Sequence, residues 1–240
     1  MTTRTYGQYC PLAQTLDAVG DRWALLVVRE LLTGPQRFTD LRGRLPGVGT
    51  NQLATRLREL EGEGLVAKHT LPPPAASTVY ELTEQGRGLE PAIWALVRFG
   101  IPRLHALAPV NTFRPAWAAL ALRALADRAQ PPGEPGCWQV HVEDESFHII
   151  ADPRGVTTGP GRAPGPAIAI ATDTITAFAL ARRELTVDQA IEQQLLRCPD
   201  TDALHAWAEL SGLDRDEPEA AIDYASMHRT PRQQRANIGF

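Results

Sequence analysis

The first third of the chain carries three short apolar stripes with helical spacing. They lie within residues 11–19, 23–32 and 38–45, and a glycine or proline follows each of them closely. Apolar residues repeated every three or four positions share one helix face, and glycine or proline ends a helix. The pattern therefore predicts three packed helices.

A fourth apolar stripe predicts the most informative helix. Leu53, Leu57 and Leu60 recur at helical spacing, and Thr50 stands where an N-cap residue is expected. At 100° per residue, Asn51, Thr55 and Arg58 lie roughly opposite the leucines, with Gln52 and Arg56 on the flank. The predicted helix therefore has one apolar and one polar face.

Two alternating segments follow this helix. Residues 65–69 and 78–82 predict two strands, joined by a proline-rich loop that carries no charge. A short helix, a glycine-containing turn and a second helix with a polar outer face are typical of major-groove readers, and the two strands would form a wing. The alternative is an ordinary helical domain with a solvated polar face.

The second half of the chain predicts a helix, then a sheet, then further helices. The helices fall at residues 113–130, 174–181, after the capping box Thr186–Gln189, and at 201–210, with Asp173 as a further cap. The strands fall at 138–142, 147–151, 156–158, 167–172 and, at a sheet edge, 195–198. Mixed helices and strands predict an α+β fold.

Composition and charge change this picture in two ways. At 240 residues and 43% hydrophobic, the chain is expected to fold as two compact domains. Residues 1–108 carry 12 Lys and Arg against 10 Asp and Glu, whereas residues 109–240 carry 12 against 18. Between positions 37 and 58 stand five arginines and one acid, Asp40, so this segment is a candidate anion-binding face.

Several protein classes are not expected. The apolar runs are far shorter than the ~20 residues of a membrane span, and the N-terminus lacks a secretory signal. Three widely separated cysteines argue against a disulfide framework and favour a reducing, cytoplasmic setting. Cys137, His141 and His148 have no further ligand at useful spacing, so no metal, cofactor or catalytic residue is predicted.

Several segments of the first half together resemble the HxlR-type winged helix-turn-helix regulators. The matching segments, in order within residues 9–104, are Cys10-Pro11-Leu12, Gly20-Asp21-Arg22-Trp23, Arg37-Phe38-Thr39-Asp40-Leu41, Leu45-Pro46-Gly47, Gly64-Leu65-Val66 and Tyr80-Glu81-Leu82-Thr83. The resemblance implies a homodimer that binds a pseudo-palindromic double-stranded DNA operator. The candidate DNA-binding residues are Arg37, Arg42, Arg44, Thr50, Asn51, Gln52, Thr55, Arg56, Arg58 and Lys68.

The resemblance also implies a dimer formed by the N-terminal region and the helix after the wing, residues 88–107. The predicted dimer contacts are Leu89, Ile93, Trp94, Val97 and Ile101. The alternative is that these side chains pack on the second half of the same chain. The wing departs from the family because Ala76-Ser77-Thr78 lacks its usual basic residue, so DNA contact is expected to rest more on the arginines.

Cys10 has two interpretations. Some relatives use a cysteine here as a redox or electrophile sensor, which requires an exposed thiol of lowered pKa. The other interpretation, a small packed residue at a helix start, is favoured because no cation lies nearby in the sequence.

The second half is similar to the sterol carrier protein type two fold over roughly residues 110–213. The similarity implies an apolar cavity for a small apolar or aromatic effector. The candidate lining residues are Phe113, Trp117, Trp138, Phe147, Phe178 and Trp207. The alternative is that these side chains fill the core.

The resulting hypothesis is a ligand-responsive transcriptional regulator, not an enzyme. Its domains are a winged helix-turn-helix and dimerisation domain at residues 1–108, a ligand-binding domain at 109–213 and a flexible tail at 214–240. No membrane partner is expected. The alternatives are a thiol sensor acting through Cys10 and a lipid carrier that does not bind specific DNA.

Overall fold

The computed structural model describes residues 5–72, 76–104, 114–126 and 135–213. The chain divides into two compact units, residues 1–93 and 94–240. The predicted domain boundary at residue 108 therefore lies later in the chain than the observed one. Of the described helices, none is long and apolar enough to cross a membrane. The predicted tail, 214–240, lies outside the described residues.

The first unit is a small helical domain with a three-stranded antiparallel sheet. Its elements are α1 (Pro11–Val19), α2 (Ala24–Leu31), β1 (Gln36–Arg37), α3 (Phe38–Arg44), α4 (Thr50–Gly62), β2 (Val66–Thr70), β3 (Thr78–Leu82), α5 (Glu84–Arg87) and the start of α6 (Glu90–Gly100). The strand order is β1-β3-β2. The two-residue strand β1 was not predicted, because two residues are too few to show alternation.

Helix α4 has the predicted apolar stripe but begins differently. Leu53, Leu57 and Leu60 are fully buried, which confirms the core face. The N-cap is Gly49 and not Thr50: the Gly49 carbonyl accepts the first helical hydrogen bond from Leu53 N at 2.9 Å. Thr50 is exposed in the first turn, because the extended backbone before the helix ends one residue earlier than predicted.

The second half of α6 belongs to the second unit. Trp94 is buried, and the Arg123 guanidinium lies 4.7 Å from the centre of its ring. Arg98 Nη1 donates a hydrogen bond of 2.7 Å to the Ala124 carbonyl. A short 3-10 turn, Ile101–Arg103, follows α6, and Ile101 lies in the hydrophobic core of the second unit. These contacts explain why the boundary falls before residue 108.

The second unit has an α+β fold. Its remaining elements are α7 (Pro115–Ala126), β4 (Gly136–Val142), β5 (Glu145–Asp152), β6 (Gly155–Pro160), β7 (Ile168–Thr172), α8 (Thr174–Ala181), α9 (Val187–Glu192) and α10 (Thr201–Ser211). The sheet order is β6-β5-β4-β7, and β7 runs parallel to β4 while the other pairs are antiparallel. Alternate residues of β4, including Val140 and Val142, are buried against the helices.

The two predicted helix caps of this unit are confirmed. Asp173 accepts a hydrogen bond of 2.9 Å from Thr176 N at the start of α8. Thr186 and Gln189 form a reciprocal capping box at the start of α9. Both caps satisfy backbone N–H groups that have no partner inside the helix.

The predicted edge strand at 195–198 is reduced to one antiparallel bridge, Ala171 with Arg197. Continuing that antiparallel register places Pro199 opposite Ala169. Proline has no N–H to donate, so the pairing ends there. On the other side, Gln194 has a φ of 59° and turns the chain away. The outer edge of β7 is therefore only partly paired.

Candidate nucleic-acid interface

The outer face of α4 presents the polar side chains that the sequence predicts. Asn51, Gln52 and Arg58 are exposed, and Thr55 is half-buried. Arg58 lies along the helix, with Nε donating to the Ala54 carbonyl at 3.3 Å and Nη2 to Thr55 Oγ1 at 3.1 Å. The face opposite the leucine stripe therefore carries amide and guanidinium groups on a rigid helix.

A tight turn joins α3 to α4 and gives this face its support. Gly47 has a φ of 88°, a conformation that favours glycine. A Cβ at position 47 would lie 3.8 Å from the ring of Trp23, so the turn packs against the start of α2. Leu41 within α3 and Leu45 at its C-cap are both buried just before the turn. This is the helix-turn-helix arrangement that the sequence predicts.

Arg56 is engaged inside the protein. Its Nη1 lies 2.8 Å from Asp21 Oδ2 and 2.5 Å from Glu59 Oε2, and its side chain is only 13% exposed. The pair with Asp21 fixes α4 to the loop between α1 and α2. The predicted phosphate contact by Arg56 is therefore replaced by a structural ion pair. No local pattern could indicate this ion pair, because Asp21 and Arg56 lie far apart in the chain.

A double-mutant cycle on Asp21 and Arg56 is expected to show coupling. Asp21→Ala and Arg56→Ala each remove the same contact, so their costs in unfolding free energy should fail to add by about 1 kcal/mol. Chemical denaturation of the full chain measures this. Asp21→Ala combined with Arg58→Ala is the matched control and should be additive. An additive Asp21 and Arg56 pair would show that the contact contributes nothing.

Arg44 lies beside a buried acid that the sequence analysis did not single out as functional. Glu30 on α2 is 2% exposed, with Oε1 at 2.6 Å from Arg29 Nη2 and Oε2 at 4.0 Å from Arg44 Nη1. Glutamate is rarely fully buried unless it is paired. In the sequence, the position of Glu30 within the apolar stripe of α2 indicates that this acid is buried.

The other predicted cations lie around the helix-turn-helix. Arg42 is exposed on α3. Arg37, the N-cap residue of α3, is exposed and donates from Nε to Ser77 Oγ at 3.1 Å, so it leans toward the strand that returns from the wing. Lys68 is exposed on β2, with Nζ 5.7 Å from the centre of the Tyr80 ring. Part of the wing loop, 73–75, lies outside the described residues.

The comparisons with known proteins agree with this geometry. The family model described as HxlR-like helix-turn-helix matches residues 18–106. An HTH-type transcriptional regulator of Synechocystis sp., sll1512, is 35% identical over 94 residues, which make up 39% of this chain and 70% of that protein. The chain belongs to the HxlR-like helix-turn-helix family.

Two further matches cover the same part of this HxlR-like protein. The HTH-type transcriptional regulator YvaP of Bacillus subtilis is 36% identical over 87 residues, or 36% of this chain and 81% of that protein. A solved structure of the redox regulator HypR in its oxidized form is 31% identical and covers 41% of this chain and 100% of that chain, with a TM-score of 0.37. The Synechocystis and YvaP relatives are transcriptional regulators, which is consistent with the expected non-enzymatic role.

The side chains predicted as dimer contacts of this HxlR-like protein differ in exposure. Ile93, Trp94 and Ile101 are buried within the chain itself, and Leu89 and Val97 are half-buried. Buried side chains have no surface to offer a partner. Among the described residues, the large apolar side chains that are exposed are Tyr6, Tyr9, Leu12 and Leu16 in and before α1, Leu26 in α2, and Leu96, Phe99 and Leu104 in and after α6. The helical pattern marked α6 as apolar on several sides without showing which side the chain covers.

The predicted ligand-lining residues lie mainly in the core. Trp138, Phe147 and Trp207 are buried, and Trp138 Nε1 donates to the Ala203 carbonyl at 2.9 Å. Trp117 and Phe178 are half-buried, and Phe113 lies outside the described residues. The alternative interpretation, that these rings fill the core, therefore fits Trp138, Phe147 and Trp207.

The three cysteines are free thiols. Cys10 is half-buried at the N-cap of α1 and makes no capping hydrogen bond through its side chain. Burial raises the pKa of the Cys137 thiol, which disfavours the reactive thiolate. The described residues hold no group of three or more potential metal ligands. A sensing role for Cys10 stays a prediction.

Proposed function

We propose that this protein is a ligand-responsive transcriptional regulator that binds a pseudo-palindromic operator as a homodimer. The observation that carries the proposal is the exposed amide and guanidinium face of α4 within an HxlR-like helix-turn-helix unit. A helix of this width fits the major groove, where such side chains distinguish base pairs. This argues against the alternative of a lipid carrier without specific DNA binding.

Base recognition is assigned to the outer face of α4 between residues 50 and 58. Asn51 and Gln52 can each pair with adenine through two hydrogen bonds, and Arg58 with guanine. Thr50 and Thr55 complete this face, where a hydroxyl can bond either to a base or to a phosphate. The Arg58 contacts to Ala54 and Thr55 hold its guanidinium on the outer side of the helix.

Phosphate contacts are assigned to four cations around the helix. Arg37, Arg42 and Lys68 are exposed, and Arg44 is half-buried beside Glu30. Lysine and arginine on phosphates supply sequence-independent affinity that falls as salt rises. Arg56 is left out because Asp21 and Glu59 hold it.

Arg58→Ala and Arg37→Ala are expected to weaken operator binding in different ways. Loss of Arg58 should cost about 1–3 kcal/mol on the preferred operator and little on variants changed at the base it reads. Loss of Arg37 should weaken binding to all variants alike and reduce the slope of log K against log salt by about one. Titration of an operator panel at several salt concentrations measures both, and equal effects of the two changes on every variant would contradict the assignment.

The homodimer is assigned to the exposed apolar residues before and within α1 and along the end of α6. Large exposed apolar side chains, Tyr9 in the first unit and Phe99 in the second, are candidates for burial against a partner. Dimerisation would set two copies of α4 on successive major grooves, about one helical turn of DNA apart.

Effector control is assigned to the second unit, with a sterol-carrier-like fold as the proposed identity. Arg98 and Trp94 anchor the end of α6 to α7 of that unit. A ligand that shifts α7 would therefore shift the proposed dimer helix. Such control requires that the ligand bind the DNA-competent and incompetent states with unequal affinity.

A further inference from the structure

A cleft of about 1050 Å³ lies at the outer edge of β7 in the second unit. Its apolar walls are Ala169, Ala171, Ile191, Leu195, Leu196 and Pro199. Of the ring residues predicted to bind a ligand, Trp117, Trp138, Phe147, Phe178 and Trp207 lie within the described residues, and none of these lines the cleft. The volume is in the range of sites that hold small organic molecules.

The bridge between Ala171 and Arg197 defines the open face of the cleft. Cross-strand partners direct their side chains to the same side of a sheet. Ile170 on the other side of β7 is buried, whereas Ala169 and Arg197 are exposed. The small side chains of Ala169 and Ala171 therefore form a low floor, and Arg197 stands beside it.

The backbone at this edge offers a free donor and a free acceptor. Ala171 uses its N–H and its carbonyl for Arg197, both at 2.9 Å. Residues two apart in a strand direct their backbone N–H and carbonyl groups to the same side. The N–H and carbonyl of Ala169 therefore face the outer edge of β7 as well. Continuing the register of the Ala171 and Arg197 bridge would set Ala169 opposite Pro199, which has no N–H to donate. Among the described residues, no strand pairs with Ala169 on this side.

One cation, Arg197, lines the cleft together with two acids. Of its two acids, Glu143 accepts a hydrogen bond of 3.0 Å from Thr174 N, and Asp173 accepts from Thr176 N and Oγ1 at 2.9 and 2.8 Å. Both carboxylates are therefore satisfied at the positive end of α8. No described carboxylate lies within ion-pair distance of Arg197, which is exposed and available to a ligand.

We propose that this cleft binds a small organic carboxylate with a flat apolar body. The body lies on the floor of Ala169 and Ala171 against Leu195 and Ile191, and the carboxylate pairs with the Arg197 guanidinium. A planar guanidinium matches a carboxylate through two parallel hydrogen bonds. The inference rests on the proposed function, because it names the chemical class of the effector and moves its site from the ring residues to the β7 edge.

Direct binding tests the site with a matched pair of probes. Naphthalene-2-carboxylate and naphthalene-2-carboxamide share one apolar body and differ in charge. Isothermal titration of the full-length protein is expected to show the carboxylate binding about tenfold tighter than the amide. Arg197→Gln should remove that difference. Arg162→Gln, at another exposed arginine of the same unit, should keep it.

A second variant tests the floor of the cleft. Ala169→Tyr places a ring over the floor at an exposed strand position that tolerates aromatic residues, and it should abolish binding of both probes. Equal affinity for the two probes in the wild type, or unchanged carboxylate binding in Arg197→Gln or Ala169→Tyr, would overturn the site.

Operator titration with and without the carboxylate separates the two proposals. Carboxylate binding that depends on Arg197 but leaves operator affinity unchanged supports the site and contradicts effector control through it. Absence of specific operator binding contradicts the proposed function and leaves the cleft result standing.

Discussion

Trp207→Ala is expected to lower the unfolding free energy of the second unit by about 3–5 kcal/mol, because it removes a large, fully buried ring from the core. Trp207 is 0% exposed on α10 and lies in the same core as Phe147 and Val140. Hydrogen exchange of the amides in β4 and β5 measures the loss within this unit of the full chain.

Two matched changes separate packing from ligand contact. Trp117→Ala removes the same type of side chain from a half-buried position and should lower the unfolding free energy by clearly less than Trp207→Ala. Trp207→Phe keeps most of the ring and should lower the unfolding free energy by less than Trp138→Phe. The reason is that Trp138→Phe loses the hydrogen bond from Nε1 to the Ala203 carbonyl, whereas Trp207 Nε1 has no hydrogen-bond partner among the described residues. A stable Trp207→Ala protein that had lost only ligand binding would restore Trp207 as a lining residue.

Local patterns made much of the fold predictable from the sequence. The leucines of α4 recur at helical spacing and are all buried. The Asp173 and Thr186 side chains each accept a hydrogen bond from a backbone N–H three residues later. Hydrogen bonds of this kind are set by neighbours in the chain. The exposed residues Asn51, Gln52 and Arg58 were predictable for the same reason, since they follow from the stripe.

Side chains whose role depends on distant partners could not be predicted in the same way. Arg56 lies on the flank of α4, and only the position of Asp21 decides whether it faces solvent or an acid. The apolar residues of α6 show the same limit, because Trp94 is covered by Arg123 while Phe99 is exposed. The single bridge between Arg197 and Ala171 shows the same limit, because the two residues lie far apart in the chain.

The arginines between positions 37 and 58 therefore divide into separate roles. Arg56 is held by acids and supports the helix, whereas Arg42 and Arg58 are exposed. A local excess of positive charge in the sequence is thus partly neutralised inside the fold. The DNA affinity expected from the charge count alone would be too high, because a paired arginine releases fewer counterions on binding.

Glu30→Ala is expected to cost about 3 kcal/mol of the unfolding free energy of the first unit. The change removes a carboxylate that is 2% exposed and that Arg29 and Arg44 both approach, and loss of one member of a buried ion pair is strongly destabilising. Glu30→Gln should cost less, because its amide oxygen can still accept from Arg29. Glu63→Ala, at an exposed acid after α4, is the control and should cost almost nothing. Chemical denaturation measures all three. Operator affinity should fall in the same order, since Arg44 ties α3 to α2 through Glu30, and a Glu30→Ala protein as stable as Glu63→Ala would show that α3 is held without this acid.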